Sequence, residues 1–462
     1  MDRRSFCGIL AGAAAAQGQS VRRPNIVFIL ADDLGYGDLG CYGQRQIQTP
    51  AIDQLAREGT RFTDAYAGAA VCAPSRCALM TGMHTGHCRV RGNFGAGGAR
   101  VPLRPDDITV AEVLKTAGYR TGIFGKWGLG EAGTLGIPNC QGFDEWFGFL
   151  NQDHALQYYP ESIWENQTEI FPPGNQGAKR KDYAQDLITE RILRFIEQSR
   201  NGPFFLYAAY TVPHANSELS RDTGDGYTVP NYEPYTDRDW PKPEKGYAAM
   251  VTRLDRDVGK IVAKLHEAGL DSNTIVFFTS DNGPATEGTH TPKFFSSGGP
   301  LRAGKSSLYE GGIRVPMIAR WPGQVAASRV SAEPWAFWDF LPTAADLAGV
   351  PAPKGIDGIS MRPALLEHGK AKEREFLYWE SHEKGFSQAA RIGNWKALRR
   401  GTHSAPIELY DLAKDIGETH DVSAAEPQTV ARAREILNSA HTDSADYPVR
   451  EPRRSRQEKT SP

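Results

Sequence analysis

Cys72, Pro74, Ser75 and Arg76 stand together in the run Val71-Cys72-Ala73-Pro74-Ser75-Arg76-Cys77-Ala78-Leu79-Met80-Thr81-Gly82. A proline two residues after a cysteine suits the first turn of a helix, whose free N–H groups attract anions. The expected group is an anion-facing thiol, or something made from one. Two carboxylate-bearing turns follow apolar runs: Asp32-Asp33 after residues 25–30, and Asp281-Asn282-Gly283 after residues 273–280. Neighbouring carboxylates repel unless a cation joins them, so both turns read as halves of a metal site. Lys126 and His214 also follow apolar runs, and Lys305 lies in the loop segment Gly304-Lys305-Ser306-Ser307. Gathered on one side of a fold, these groups would hold and neutralise an anion.

The elements that must gather them are strands. Continuous apolar runs at 25–30, 119–125, 204–210 and 273–280 fit strands buried on both faces of a parallel sheet. Parallel strands bring their carboxyl ends to one edge, where open α/β sheets place ligands. Helix signals lie between them. Thr49-Pro50 opens a helix with Ile52, Leu55 and Ala56 on one face, closed by Gly59. Thr109-Val110-Ala111-Glu112 is a capping-box pattern for a second helix, ending at Gly118. Helical spacing recurs at Leu187, Ile188, Ile192, Phe195 and Ile196, and at Met250, Leu254, Val258, Ile261 and Leu265. One further strand begins at Val315. The alternation runs to about Ala348, which predicts a doubly wound, mostly parallel α/β sheet flanked by helices. Beyond about 371 come short strand-like pieces at 376–379, 388–392 and 395–398, and a helix around 430–437. They predict a smaller antiparallel sheet plus helix. The expected divisions are an export signal at 1–20, a catalytic domain at 21–370, a C-terminal subdomain at 371–449 and a disordered tail at 450–462.

With 462 residues and 40% apolar content the chain can bury a large core. Its 53 basic and 55 acidic residues leave a net charge of -2, which excludes a globally basic nucleic-acid or membrane-surface binder. Arg3-Arg4-Ser5-Phe6 followed by small and apolar residues reads as a twin-arginine-like export signal, too short for a stable membrane anchor. The expected location is periplasmic or extracellular, in a bacterial setting. Of six cysteines, Cys7 falls in the signal and Cys72 in the motif. Cys41, Cys77, Cys88 and Cys140 are open to two disulfides or to isolated buried thiols. The aromatic segment 141–160, which contains Asp153 and His154, reads mainly as packing.

The Cys72 run resembles the sulfatase signature Cys-x-Pro-Ser-Arg-x-x-x-Met-Thr-Gly at every fixed position. Asp32-Asp33, Gly125-Lys126-Trp127, Pro213-His214, Ser280-Asp281-Asn282-Gly283, Gly304-Lys305 and Glu310-Gly311-Gly312 match in order. The chain from Asn25 to about Leu412 thus resembles the type I, formylglycine-dependent sulfatases of the alkaline-phosphatase-like superfamily.

The resemblance implies that a maturation enzyme converts Cys72 to formylglycine. Asp32, Asp33, Asp281, Asn282 and an oxygen on residue 72 would bind a divalent cation, and their oxygen donors favour calcium, with magnesium the alternative. Arg76, Lys126 and Lys305 would neutralise sulfate oxygens. The hydrated aldehyde would attack sulfur while His214 or Lys305 protonates the departing alcohol, and deprotonation of the second hydroxyl would expel sulfate.

One position departs from the family pattern, which often reads Gly-Lys-Trp-His-Leu-Gly: here residue 128 is glycine. His154 is the candidate replacement for the missing base, or a substrate contact, and His290 a candidate for substrate recognition. The expected activity is hydrolysis of sulfate esters, with sulfated carbohydrate the favoured substrate and aryl sulfates plausible. The alternatives are a phosphonate monoester hydrolase or phosphodiesterase on the same scaffold, and a secreted binding protein without turnover.

Overall fold

Ten strands form the main sheet: Asn25–Asp32 (β1), Thr60–Phe62 (β2), Arg120–Lys126 (β3), Glu145–Phe149 (β4), Ile163–Glu165 (β5), Thr168–Ile170 (β6), Phe204–Pro213 (β7), Thr274–Ser280 (β8), Met317–Arg320 (β9) and Arg329–Ser331 (β10). This computed structural model describes residues 23–449 apart from 368 and 370. The readings of 1–20 as an export signal and of 450–462 as a tail lie outside the described residues.

The order across the sheet is β10-β2-β9-β8-β1-β7-β3-β4-β5-β6. The five strands from β8 to β4 are mutually parallel. β9 runs antiparallel to both of its neighbours, and β5 and β6 add an antiparallel hairpin at the edge. Along β1, Ile26, Phe28 and Leu30 enter one core and Val27, Ile29 and Ala31 the other, which explains an apolar run without alternation.

Helices cover both faces. Those nearest the site or the sheet are Pro50–Arg57 (α1), Cys72–Thr81 (α2), Val110–Thr116 (α3), Ala184–Gln198 (α4), Lys242–Glu267 (α5) and Phe340–Ala348 (α6). α1, α4 and α5 pack into the core of Val27, while α2, α3 and α6 pack into that of Phe28. The capping box of α3 forms as expected: Thr109 Oγ1 accepts the Glu112 N–H and Glu112 Oε2 accepts the Thr109 N–H. The α1 cap differs. Thr49 Oγ1 accepts from Gly40 and donates to Asp53, while Asp255 of α5 takes the N–H groups of Ala51 and Ile52 at 3.2 and 2.7 Å. A carboxylate from a distant element has replaced the local hydroxyl.

The C-terminal strands Leu377–Ser381 (β11), Ser387–Ile392 (β12), Trp395–Arg400 (β13) and Ile407–Asp411 (β14) make an antiparallel sheet in chain order. One face takes helix Pro427–Ser439 (α7) through Ala433, Ile436 and Leu437. The other packs Trp379, Leu398 and Tyr410 against Tyr66, Ala78 and Trp338 of the larger layer. Buried ions seal the joint. Glu310 accepts from Lys396 Nζ at 2.8 Å, Tyr66 Oη at 2.7 Å and Arg314 at 3.2 Å. Among the described residues no helix is long and apolar enough to cross a membrane. Cys41, Cys72, Cys77, Cys88 and Cys140 are free thiols, so the disulfide alternative is not realised among them.

Candidate active site

The residues around Cys72 each have a local reason. Cys72 opens α2, with Val71 as an extended N-cap and Pro74 in the first turn. Ser75 Oγ accepts the Gly68 N–H at 3.0 Å, tying the helix to the preceding loop. Met80 is fully buried, Thr81 Oγ1 donates to Cys77 O, and Gly82 ends the helix at φ +72°. Arg76 is wholly buried: its Nη2 donates to Asp281 Oδ2 at 2.8 Å and lies 3.3 Å from Asp32 Oδ2, while Nη1 donates to Lys126 O at 2.6 Å.

Around this helix mouth the strand ends converge. Asp32 ends β1, Lys126 ends β3, His214 follows β7 and Asp281 follows β8; all four strands are parallel and so deliver these groups to one edge. Lys126 Nζ donates to Asp32 Oδ2 at 2.6 Å, and the Cys72 thiol lies 3.3 Å from Asp32 Oδ1. Lys305 Nζ donates to Asp33 Oδ2 at 2.9 Å and lies 3.0 Å from His214 Nε2. His214 Nδ1 lies 2.6 Å from Ala215 O, which can only accept. Nδ1 therefore carries the hydrogen, and Nε2 is free to accept from Lys305.

Charge balance explains the titration of these groups. Burial opposes ionisation of Asp32, but the Lys126, Arg76 and Lys305 cations prevail and hold it well below the usual carboxylate range. Asp281 goes the other way, pushed up to about 7 by burial and then by Asp32. Burial and Asp32 also raise the Cys72 thiol well above its ordinary value. An unmodified thiol here is thus a poor nucleophile, contrary to a reactive-thiol reading of the helix mouth.

The donor set can hold a hard cation. The ligand atoms of Asp32, Asp33, Cys72 and His214 lie within 4.8 Å of one another. Asn282 Nδ2 donates to Asp33 Oδ1 and Gly283 O, which leaves Asn282 Oδ1 buried with no hydrogen-bond partner among the described residues. An orphaned amide oxygen beside three buried carboxylates fits an oxygen-liganded divalent ion.

Comparison with known proteins agrees with this geometry. Residues 24–350 match the sulfatase family, and residues 303–441 match the family described as N-sulphoglucosamine sulphohydrolase, C-terminal. The chain belongs to the sulfatase family. Human arylsulfatase A is 34% identical over 489 residues, covering 94% of this sulfatase and 91% of the relative. Pig N-acetylgalactosamine-6-sulfatase is also 34% identical, covering 93% and 87%. The solved structure of Ps i-CgsB in complex with k-i-k-neocarrahexaose is 32% identical with a TM-score of 0.79, covering 93% of this chain and 95% of that one. The protein is a sulfuric ester hydrolase of the alkaline-phosphatase-like superfamily. A phosphonate monoester hydrolase from Agrobacterium radiobacter, 23% identical with a TM-score of 0.65, shares the fold.

Two expected residues stand outside the cluster of this sulfatase. His154 Nε2 is 2.8 Å from Ser162 O and its ring packs edge-on against Phe149, and none of its contacts is to residue 72 or to the groups gathered around it. His290 is buried against Glu244 and stacked on Tyr247, which makes it a packing group and not a substrate contact. Arg76, expected on sulfate, instead spends its donors on Asp32, Asp281 and Lys126 O. Gly128 itself has φ +83°, and a Cβ there would lie 2.8 Å from Gln152 Nε2. The positive φ strains any side chain at this position, whereas the Gln152 amide is the mobile end of a long side chain and could move aside.

Two residues of the site carried no signal in the sequence. Asn93 Oδ1 accepts the Ala73 N–H at 3.1 Å, next to the helix mouth. Glu287 Oε2 accepts from Lys305 Nζ at 2.9 Å. Both lie in loops without periodicity, and only the pairing of distant segments reveals them.

Proposed function

We propose that this sulfatase is exported to the periplasm or beyond and removes sulfate from sulfated carbohydrate, using a formylglycine made from Cys72 and a bound calcium ion. The observation that carries the reading is the convergence of Asp32, Asp33, Asp281, Asn282, Lys126, His214 and Lys305 on residue 72, with Asn282 Oδ1 buried and unpartnered. Asp32, Asp33, Asp281, Asn282 and residue 72 would hold the cation, and calcium suits so many protein oxygens better than magnesium, which keeps its waters. When bound it supplies Lewis-acid stabilisation of charge on the sulfate oxygens. Residue 72, as a hydrated aldehyde, supplies the attacking oxygen and a second hydroxyl whose deprotonation releases sulfate.

The remaining residues have distinct tasks. Arg76 positions Asp32 and Asp281. Lys126 and Lys305 place positive charge around the transferred group. Lys305 donates the proton to the leaving alcohol oxygen, and His214 Nε2, fixed by Ala215 O, orients the Lys305 ammonium. The names of the relatives and the oligosaccharide bound to Ps i-CgsB support a sugar substrate. We assign the catalytic domain to 21–370 and the C-terminal subdomain to 371–449; a formylglycine-generating enzyme is the required maturation partner.

Co-expression with such an enzyme tests the proposal. The peptide containing residue 72 should then show the aldehyde mass, and turnover of 4-nitrophenyl sulfate should exceed that of an aryl phosphonate. Chelation should abolish turnover and calcium restore it. A persisting thiol in active protein, or a preference for phosphorus, would reject the formylglycine sulfatase reading.

A further inference from the structure

Glu287 is an acidic group placed at the rim of a site built to hold an anion. Its Oε2 lies 2.9 Å from Lys305 Nζ and 3.9 Å from His214 Nε2. The side chain of Lys305 is 6% exposed and that of His214 11%, whereas that of Glu287 is 42% exposed. The carboxylate therefore lies between solvent and the two groups assigned to the leaving oxygen. Lys305 already pairs with Asp33 beneath it, so Glu287 is a second carboxylate on one ammonium.

The loop that carries Glu287 is pinned on both sides. Before it, the Lys305 N–H donates to Pro284 O at 3.0 Å, and Gly283 is so close to Gly311 O that a Cβ would collide. After it, Gly288 is pressed against Ala215 and the ring of Tyr227, and Thr289, at φ +66°, donates from Oγ1 to Gly224 O at 2.7 Å. His290 is tied to Glu244. The backbone on either side of Glu287 is thus set by the fold and its carboxylate is held by Lys305, so a substituent next to the scissile oxygen approaches a negative charge at the rim.

We propose that Glu287 is a specificity-determining residue. It rejects sulfate esters whose alcohol carries a second anion beside the ester oxygen, and accepts those with a hydrogen-bond donor there, such as a sugar hydroxyl. Repulsion of the wrong alcohol, added to attraction of the right one, is how a charged rim discriminates. The inference rests on the sulfate site proposed above.

The test compares 4-nitrophenyl sulfate with its analogue bearing a carboxylate ortho to the ester, using formylglycine-containing wild type, Glu287→Gln and Glu287→Ala. Wild type should favour the neutral alcohol in kcat/KM, and both variants should shrink that preference by about tenfold or more, chiefly through KM of the carboxylated substrate. Taking the change in the ratio removes the difference in intrinsic reactivity of the two esters. An unchanged ratio in variants that still hydrolyse 4-nitrophenyl sulfate overturns the role of Glu287 alone. If wild type with confirmed formylglycine hydrolyses neither ester, the sulfate-site reading falls, and this inference with it.

Discussion

At the scale of single residues, Arg76 joins more of the site than any side chain the signature run contributes. It binds carboxylates from two strands and a carbonyl from a third while lying wholly inside the protein. Removing one partner of such a buried pair leaves uncompensated charge, at a cost of about 3–5 kcal/mol. Arg76→Met should therefore lower the unfolding temperature markedly and abolish turnover even when residue 72 is fully converted. Retained stability with lost activity would instead place Arg76 on the substrate. The residue scale is also where sequence reading was most uneven. Asp32, Asp281, Lys126 and His214 were legible because each follows an apolar run, and a run's end has a known place in a parallel sheet. His154 and His290 sit in loops, where nothing in the sequence tells a packed ring from a catalytic one. Glu287 was invisible for the same reason.

At the scale of elements, the segment after α2 carries a titratable joint. The His84 N–H donates to Asp357 Oδ2 at 3.0 Å, His87 Nδ1 lies 2.9 Å from Asp357 Oδ1, and the two imidazoles stack at 4.3 Å. Burial lowers the His84 pKa from 6.5 to about 4, with His87 adding to the shift against the pull of Asp357. The folded protein thus resists a proton that the unfolded chain accepts. The stability from this group is present in full above pH 6.5 and is lost as pH falls toward 4, by about 3 kcal/mol in total. Urea unfolding across that window should show the loss in wild type and a flatter profile in His84→Gln; parallel profiles would remove His84 as the cause. Elements also differed in legibility. β1 and β8 were plain because two-sided burial demands continuous apolar sequence. The hairpin β5–β6 was missed because it is short and β6 is largely exposed, so little core demanded a pattern from it; β14 was missed although Ile407, Leu409 and Tyr410 are buried, because a five-residue run is too short to stand out.

At the scale of the whole molecule, the two sheets meet across buried charge. Lys396 of β13 pairs with Glu310 at 2.8 Å and lies 3.6 Å from Glu418, and all three side chains are fully buried. Glu418 is pushed up to about 7 by burial, against the pull of Lys396. Lys396→Met would leave Glu310 with Arg314 and Tyr66, and its N–H on Glu418 Oε2, but remove its ion pair to the small sheet. The expected result is destabilisation of about 3–5 kcal/mol and proteolytic cleavage between residues 350 and 376 ahead of cleavage within the main sheet. Cleavage kinetics identical to wild type would show that apolar packing alone holds the joint. The layered architecture was legible from alternating signals, whereas this joint joins residues far apart in the chain and had no local trace.

The burial of Cys72 has a consequence for the order of events in synthesis. Only 1% of the residue is exposed, and its helix lies between the main sheet and the C-terminal sheet, with Ala78 touching the core of Trp379 and Leu398. The strands that complete this enclosure leave the ribosome last. On the reading proposed above, a maturation enzyme would have to reach residue 72 while the chain is still open, which would give modification a deadline set by folding. On that same reading, a chain that closes first would be stable and correctly shaped but would keep its thiol and stay inert.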